Sequence, residues 1–308
     1  MDPQDGAPDG FRRLDRERWA ELGGTLPVDG AVAVPGPHGE LPHPLDPAVV
    51  ALVRYVAMRG RQAVQLRAAE SAFLRAEDPA APFVVGVVGP VAVGKSTLAR
   101  TLQVLLRAGS GATSGAEVVS TDSFLLPNDE LARRGLVERK GFPESYDWDA
   151  LTRFLLDVRH GRDGVSVPVY SHERYDVLPD AVQEVGHPGV LVVEGLNLLQ
   201  VPPTPGFLEP ADLVDLAVYV HADEARVRRW FVERFMRLRS GAGEGGDSFF
   251  RMFAALSDEE ALRAADAVWE SVNLPNIRDH VAPTRVRADV VVVKGDDHAI
   301  SEVHLRVP

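Results

Sequence analysis

The stretch from Phe83 to Arg100 constrains this chain more than any other. Phe83–Val88 is a short apolar, β-branched run, and Thr97–Leu106 has helical apolar spacing, with a glycine-bounded loop between them. Gly89, Gly94, Lys95 and Ser96 fit the pattern G-x-x-x-x-G-K-[ST]. In that arrangement successive backbone N–H groups wrap the phosphates of a nucleotide. The lysine reaches the outer phosphates, and the Ser96 hydroxyl takes a place on Mg²⁺. The order strand, loop, helix is the context in which the pattern has this meaning. Thr97 opens the helix. A strand fed into a helix in this way predicts an α/β fold with a mainly parallel central sheet and helices on both faces.

Open parallel sheets place ligands at the carboxyl ends of their strands, so polar residues there are candidates for chemistry. Glu117–Ser120 reads as a strand, and Asp122 follows its end. A carboxylate in that position can accept the proton of an attacking hydroxyl. Gly189–Gly195 contains the most apolar strand and ends in Glu194, a carboxylate that burial would penalise unless Mg²⁺ or Lys95 faced it. Asp223–Arg239 is an arginine-rich helix in which Arg234 shares a face with Trp230, Phe231 and Leu238, making it the arginine best placed to reach a pocket. Val165–Tyr170 is a short strand followed by His172, Arg174, Tyr175 and Asp176, a crowd of side chains that suits a binding edge. The glycine-rich Ser240–Asp247 precedes Phe249 and Phe250 and reads as a flap ending in an aromatic contact, or equally as a passive linker.

Composition narrows the classes. The net charge is −12, which disfavours a nucleic-acid groove or an anionic membrane surface, so phosphate must be held by a local cluster. There is no cysteine, and no apolar run reaches transmembrane length. The acidic, Pro/Gly-rich start is unlike a signal peptide, and a cytoplasmic location is expected. Of 33 basic residues only Lys95, Lys140 and Lys294 are lysines. A chain that uses arginine elsewhere places a compact ammonium at these three points, and the bias points toward the site. Residues 1–10 are expected to be disordered. Residues 11–80 are expected to form an N-terminal helical segment, with a helix over Phe11–Leu22, a proline-rich linker over Ala31–Pro47 and a helix starting at Asp46-Pro47. Residues 81–308 form the core, with further helices over Asp149–Arg159 and Ser257–Val272.

The motifs Gly89–Thr97, Ser120–Asn128, Arg139–Asp147, Pro168–His172, Tyr175-Asp176, Val193–Gln200, Arg234-Phe235, Pro283–Arg285 and Lys294–His298 together resemble the bacterial type I pantothenate kinases. These belong to the P-loop kinases that include uridine kinases and phosphoribulokinase. The resemblance runs through most of residues 11–306. It implies ATP and Mg²⁺ at Lys95 and Ser96, a catalytic base at Asp122, metal support from Glu194, and pantothenate contacts from Tyr170, His172, Arg234 and Asn273. Arg234 also approaches the transferring phosphoryl group. It further implies coenzyme A feedback through Arg100 and His172, adenine packing on His298, and a homodimer.

Three departures bear on the substrate. Ser123 stands where the family usually has glycine, Phe231 and Phe249 stand in place of two pocket tyrosines, and Ala31–Pro47 replaces an adenine-side segment. Losing a pocket hydroxyl can forfeit a hydrogen bond to the substrate. Two rival readings therefore stand beside the pantothenate kinase one. One is a kinase of another small alcohol, uridine-like or a secondary metabolite. The other is a nucleotide-binding regulator without turnover.

Overall fold

The computed structural model describes residues 6–24, 45–76, 81–107, 115–204, 206–241 and 249–307. Its strands are β1 Phe11–Asp15, β2 Phe83–Val88, β3 Ala116–Ser120, β4 Val165–Ser171, β5 Asp176–Val185, β6 Val190–Gly195, β7 Leu216–His221, β8 Val290–Lys294 and β9 Ile300–Arg306. A seven-stranded sheet runs β1-β9-β8-β7-β2-β6-β3, and β4 and β5 form a separate hairpin. Strands β3, β6, β2, β7 and β8 are parallel, and β9 and β1 close one edge antiparallel. β2 is buried along its whole length between β6 and β7, which is why it reads as a continuous apolar run instead of an alternation.

The helices are α1 Arg16–Gly23, α2 Pro47–Leu74, α3 Lys95–Arg107, α4 Asn128–Arg134, α5 Trp148–Arg159, α6 Glu224–Gly241, α7 Arg251–Ala254, α8 Asp258–Val268 and α9 Leu274–Asn276. They cover both faces of the sheet. Val85, Val87, Val192 and Val218 pack with Leu52, Val53 and Val56 of α2 and with Leu98 and Leu102 of α3. Val84, Val88, Leu191 and Val193 face the other way, onto Leu151, Phe154 and Leu155 of α5. Each such aliphatic side chain, once fully buried, contributes about 1.5–3 kcal/mol, so the two apolar layers fix β2 and the loop behind it. Local signals agree with the packing. Asp46 accepts from the Ala48 N–H at 2.9 Å with Pro47 beginning α2, and Ser257 and Glu260 cap α8 reciprocally.

Two expected elements take another form. The helix expected over Phe11–Leu22 begins only at Arg16, because residues 11–15 pair with β9. Phe11 and Leu14 are three apart, as on a helix, but an edge strand tolerates exposed Arg12 and Arg13, so the spacing misleads. The helix expected over Ser257–Val272 widens after Val268 into a π-helical turn over Trp269–Asn273. Pro275 follows, and its missing N–H removes a regular helical hydrogen bond. Residues 1–5, most of Ala31–Pro47 and most of the glycine-rich Ser240–Asp247 lie outside the described residues.

Candidate active site

The loop after β2 is shaped by backbone conformations that glycine permits. Gly89 has φ +149°, and a Cβ there would lie 2.3 Å from the Val220 carbonyl oxygen. Gly94 has φ +93°, and Ala92 also adopts a left-handed conformation at φ 61°. Lys95 donates to the Pro90 carbonyl at 2.8 Å, so its ammonium lies back across the loop it would leave for a phosphate. Gly89→Ala is expected to force β2 away from β7. It should abolish nucleotide binding and lower stability by about 3 kcal/mol or more, measured by thermal unfolding with and without nucleotide.

The two strand-end carboxylates flank this loop. Glu194 is the penultimate residue of β6, in register with Val87 of β2 and Ser120 of β3. It accepts a 2.9 Å hydrogen bond from the Ser96 hydroxyl. Asp122 lies in the 3₁₀ turn Thr121–Phe124, where the Ser120 hydroxyl caps its N–H. Burial raises the pKa of both carboxyl groups, and Lys95 opposes the rise in each. Arg234 and Lys140 also act on Asp122 in that direction. Burial lowers the Lys95 pKa against the pull of Glu194 and Asp122. These are poised groups, held together at a desolvation cost that a bound polyanion and cation would relieve. The Ser96 hydroxyl and Glu194 carboxylate are hard oxygen donors and suit Mg²⁺, which takes few protein ligands. Among the described residues no cluster of three or more His, Asp or Glu side chains could hold a metal without a substrate's oxygens.

Lys95, Ser96 and Glu194 open onto a cleft of about 1270 Å³, lined also by Ser120 and Ser123 on either side of Asp122 and, among others, by Thr97, Arg100, Tyr170, His172, Arg234, Arg237, Phe250 and His298. Arg100, Arg234 and Arg237 make no ion pair among the described residues, although many other arginines of this acidic protein do. On one side Trp230 stacks on His298 with centroids 3.9 Å apart and planes 25° apart. Lys294 donates to the His298 carbonyl at 2.9 Å, and its Nζ would lie 3.8 Å from a Cβ at Gly94. Burial lowers the pKa of Lys294, and burial followed by Lys294 lowers that of His298. A neutral imidazole on a tryptophan face, beside the glycine loop, is an aromatic platform for a base.

On the other side the β4–β5 hairpin carries Tyr170, His172 and Tyr175. The Tyr170 ring meets His172 edge-on at 5.3 Å and Tyr175 edge-on at 6.3 Å. Burial, then Arg234, lowers the His172 pKa. Lys140 is buried under this group, donating to Asn128 Oδ1 at 2.6 Å and to the Tyr175 carbonyl at 2.5 Å, with Tyr175 and Tyr170 rings 4.6 and 5.3 Å from its Nζ. Burial takes its pKa down to about 8. The ammonium beside Asp122 is therefore lost as pH rises through 8. We expect kcat/KM for the acceptor to fall along a limb near that pH, and Lys140→Met to remove the limb from the pH profile.

Phe249 stacks on Tyr175 at 4.6 Å, and its N–H donates to the Glu173 carbonyl at 2.8 Å, tying the chain before α7 to the hairpin. Phe250 leans edge-on against Phe235, and Phe231 packs between Phe235 and Trp269. The π-helical turn carries Asn273, whose Nδ2 is buried without a hydrogen-bond partner among the described residues. Lys95 and Lys294 line the cleft, and the charge of Lys140 acts on Asp122. Sequence reasoning did not single out the buried Tyr146, nor Trp230 as the partner of His298.

The sheet order, the glycine loop and the Lys95–Asp122–Glu194–Arg234 group define a P-loop phosphotransferase. Residues 84–242 match the model of the phosphoribulokinase / uridine kinase family. A structure of a candidate fructose transport system kinase from Silicibacter sp. TM1040 superposes with a TM-score of 0.52 at 27% identity, covering 68% of this chain and 86% of that one. Proteins named pantothenate kinase are similar over far more. The one from Corynebacterium glutamicum is 42% identical over 99% of both chains, and the one from Sorangium cellulosum is 46% identical over 83% of this chain and 82% of its own. The chain belongs to the pantothenate kinases of the phosphoribulokinase / uridine kinase family.

Proposed function

We propose that the protein transfers the γ-phosphoryl group of ATP to pantothenate, giving ADP and 4′-phosphopantothenate, the entry to coenzyme A synthesis. The observation that carries this reading is the convergence of a buried base, two cations and a metal-side carboxylate on one cleft, in a chain whose relatives carry that name. Asp122 takes the proton of the primary alcohol as its oxygen attacks phosphorus and the bond to ADP breaks. Its raised pKa makes it a stronger base than an exposed aspartate. Lys95 and Arg234 counter the charge that spreads over the phosphoryl oxygens. Ser96 and Glu194 would hold Mg²⁺, which supplies charge neutralisation on the β- and γ-phosphates. His298 and Trp230 would carry the adenine. Tyr170, His172, Tyr175, Phe231, Phe249, Phe250 and Asn273 would bound the acceptor.

Arg100 and His172 line the same cleft, which fits an inhibitory coenzyme A that competes with substrate there. A homodimer and a cytoplasmic location complete the reading. No described helix is long and apolar enough to cross a membrane. One observation favours the kinase of a different alcohol: Phe231 and Phe249 offer no hydroxyl to the acceptor pocket. Incubation with ATP, Mg²⁺ and pantothenate, with the product identified by mass, tests the proposal. A phosphopantothenate product supports it. ADP release only with another alcohol supports the rival.

A further inference from the structure

Tyr146 lies at the end of the segment Arg139–Tyr146, which is held rigidly on two sides. Toward β3, Tyr146 bridges Leu125 in antiparallel fashion, the Leu126 N–H donates to the Ser145 carbonyl at 2.8 Å, and the Asp147 N–H donates to the Phe124 carbonyl at 2.8 Å. These partners follow Asp122 directly in the chain. Toward the π-helical turn, Asn276 Nδ2 donates to the Gly141 carbonyl at 2.8 Å, and Phe142 meets His280 edge-on. Trp148, whose indole N–H is fixed on the Pro143 carbonyl, packs against the Tyr146 ring. Tyr146 is 5% exposed, yet its hydroxyl has no hydrogen-bond partner among the described residues.

A buried phenol without a partner is unfavourable, and phenylalanine would fill the same space without that penalty. Among the described residues nothing receives the hydroxyl, so it adds no hydrogen bond to the described fold. Its electrostatic surroundings are those of the site. After burial, the groups that raise its pKa are Asp122, Tyr170, Tyr175 and then Glu194, the acceptor side ahead of the metal side. A second orphan donor, Asn273 Nδ2, belongs to the helical segment that grips the same loop.

We infer that the Tyr146 hydroxyl is an acceptor-binding group, donating a hydrogen bond to the bound alcohol beside Asp122 and orienting it toward the phosphoryl group. The inference rests on the proposed phosphorylation of a small alcohol and adds a residue to that site. The two can fail separately, because wild-type turnover tests the reaction and a variant tests the residue.

The experiment compares Tyr146→Phe with wild type, using pantothenate as acceptor, or whichever alcohol wild type turns over if pantothenate is not one. We expect kcat/KM for the acceptor to fall at least about tenfold, the effect of one hydrogen bond within a site. KM for ATP should stay within about twofold, because the charged and polar groups that act on the hydroxyl are led by Asp122 and the hairpin tyrosines. The thermal midpoint of the ligand-free variant should match or exceed that of wild type, while the upward shift produced by acceptor shrinks. An acceptor kcat/KM within about twofold of wild type would overturn the inference. So would a lowered midpoint with both substrates affected alike, the pattern of a structural tyrosine.

Discussion

Asp122→Asn is expected to leave ATP binding intact and to lower kcat for pantothenate by at least about 100-fold, the low end for losing a general base. The substitution is isosteric and keeps the Ser120 cap on the backbone N–H, so the turn Thr121–Phe124 should persist. What is removed is the group that receives the alcohol proton. The same change should raise the thermal stability of the ligand-free protein at neutral pH. Burial raises the Asp122 pKa, so on going up in pH the unfolded chain gives up this proton before the folded chain does. The unfolded state then binds fewer protons, and stability falls as pH rises through that window. A neutral substitute avoids the loss. Lower activity with equal or higher stability separates a catalytic carboxylate from a structural one, and thermal melts beside steady-state kinetics read both.

Arg234→Ala should lower kcat by about 10³-fold, because a fixed guanidinium beside the reacting group acts mainly on charge that develops in the transition state. Arg234 makes no ion pair among the described residues, and its charge acts on Asp122, Lys95 and His172 together. Arg234→Lys should recover only part of the loss, since an ammonium cannot offer the planar fork to phosphoryl oxygens. The loss should fall on kcat more than on KM for ATP, and single-turnover phosphoryl transfer measures it directly. Equal losses in both would place Arg234 in ground-state nucleotide binding instead.

Much of this site is legible in the sequence because its parts stand at ends of strongly marked strands. Gly89–Ser96 follows, and Glu194 ends, an apolar run buried along its whole length, and Asp122 follows the shorter, partly buried β3. The scarcity of lysine picks out Lys140 and Lys294: the fold places Lys294 in the cleft lining and brings the charge of Lys140 to bear on Asp122. Other parts are silent for physical reasons. β5 carries proline and charge along its exposed length, and the β4–β5 pairing shifts register between Pro168 and Val169, so no clean alternation announces it. β1 imitates a helix turn at its two apolar residues. Tyr146 could not be singled out, because a tyrosine in a polar loop has no mark that tells a buried, partnerless hydroxyl from an exposed one. That distinction exists only after the loop has been clamped between Leu125 and Asn276 of α9.

The central claim is tested most directly by kcat/KM for pantothenate measured beside a panel of small primary alcohols and nucleosides, at saturating ATP and Mg²⁺, with and without coenzyme A. The account predicts that pantothenate exceeds every other alcohol by at least about 100-fold, and that added coenzyme A raises the apparent KM. A nucleoside or another alcohol turned over faster than pantothenate would contradict it.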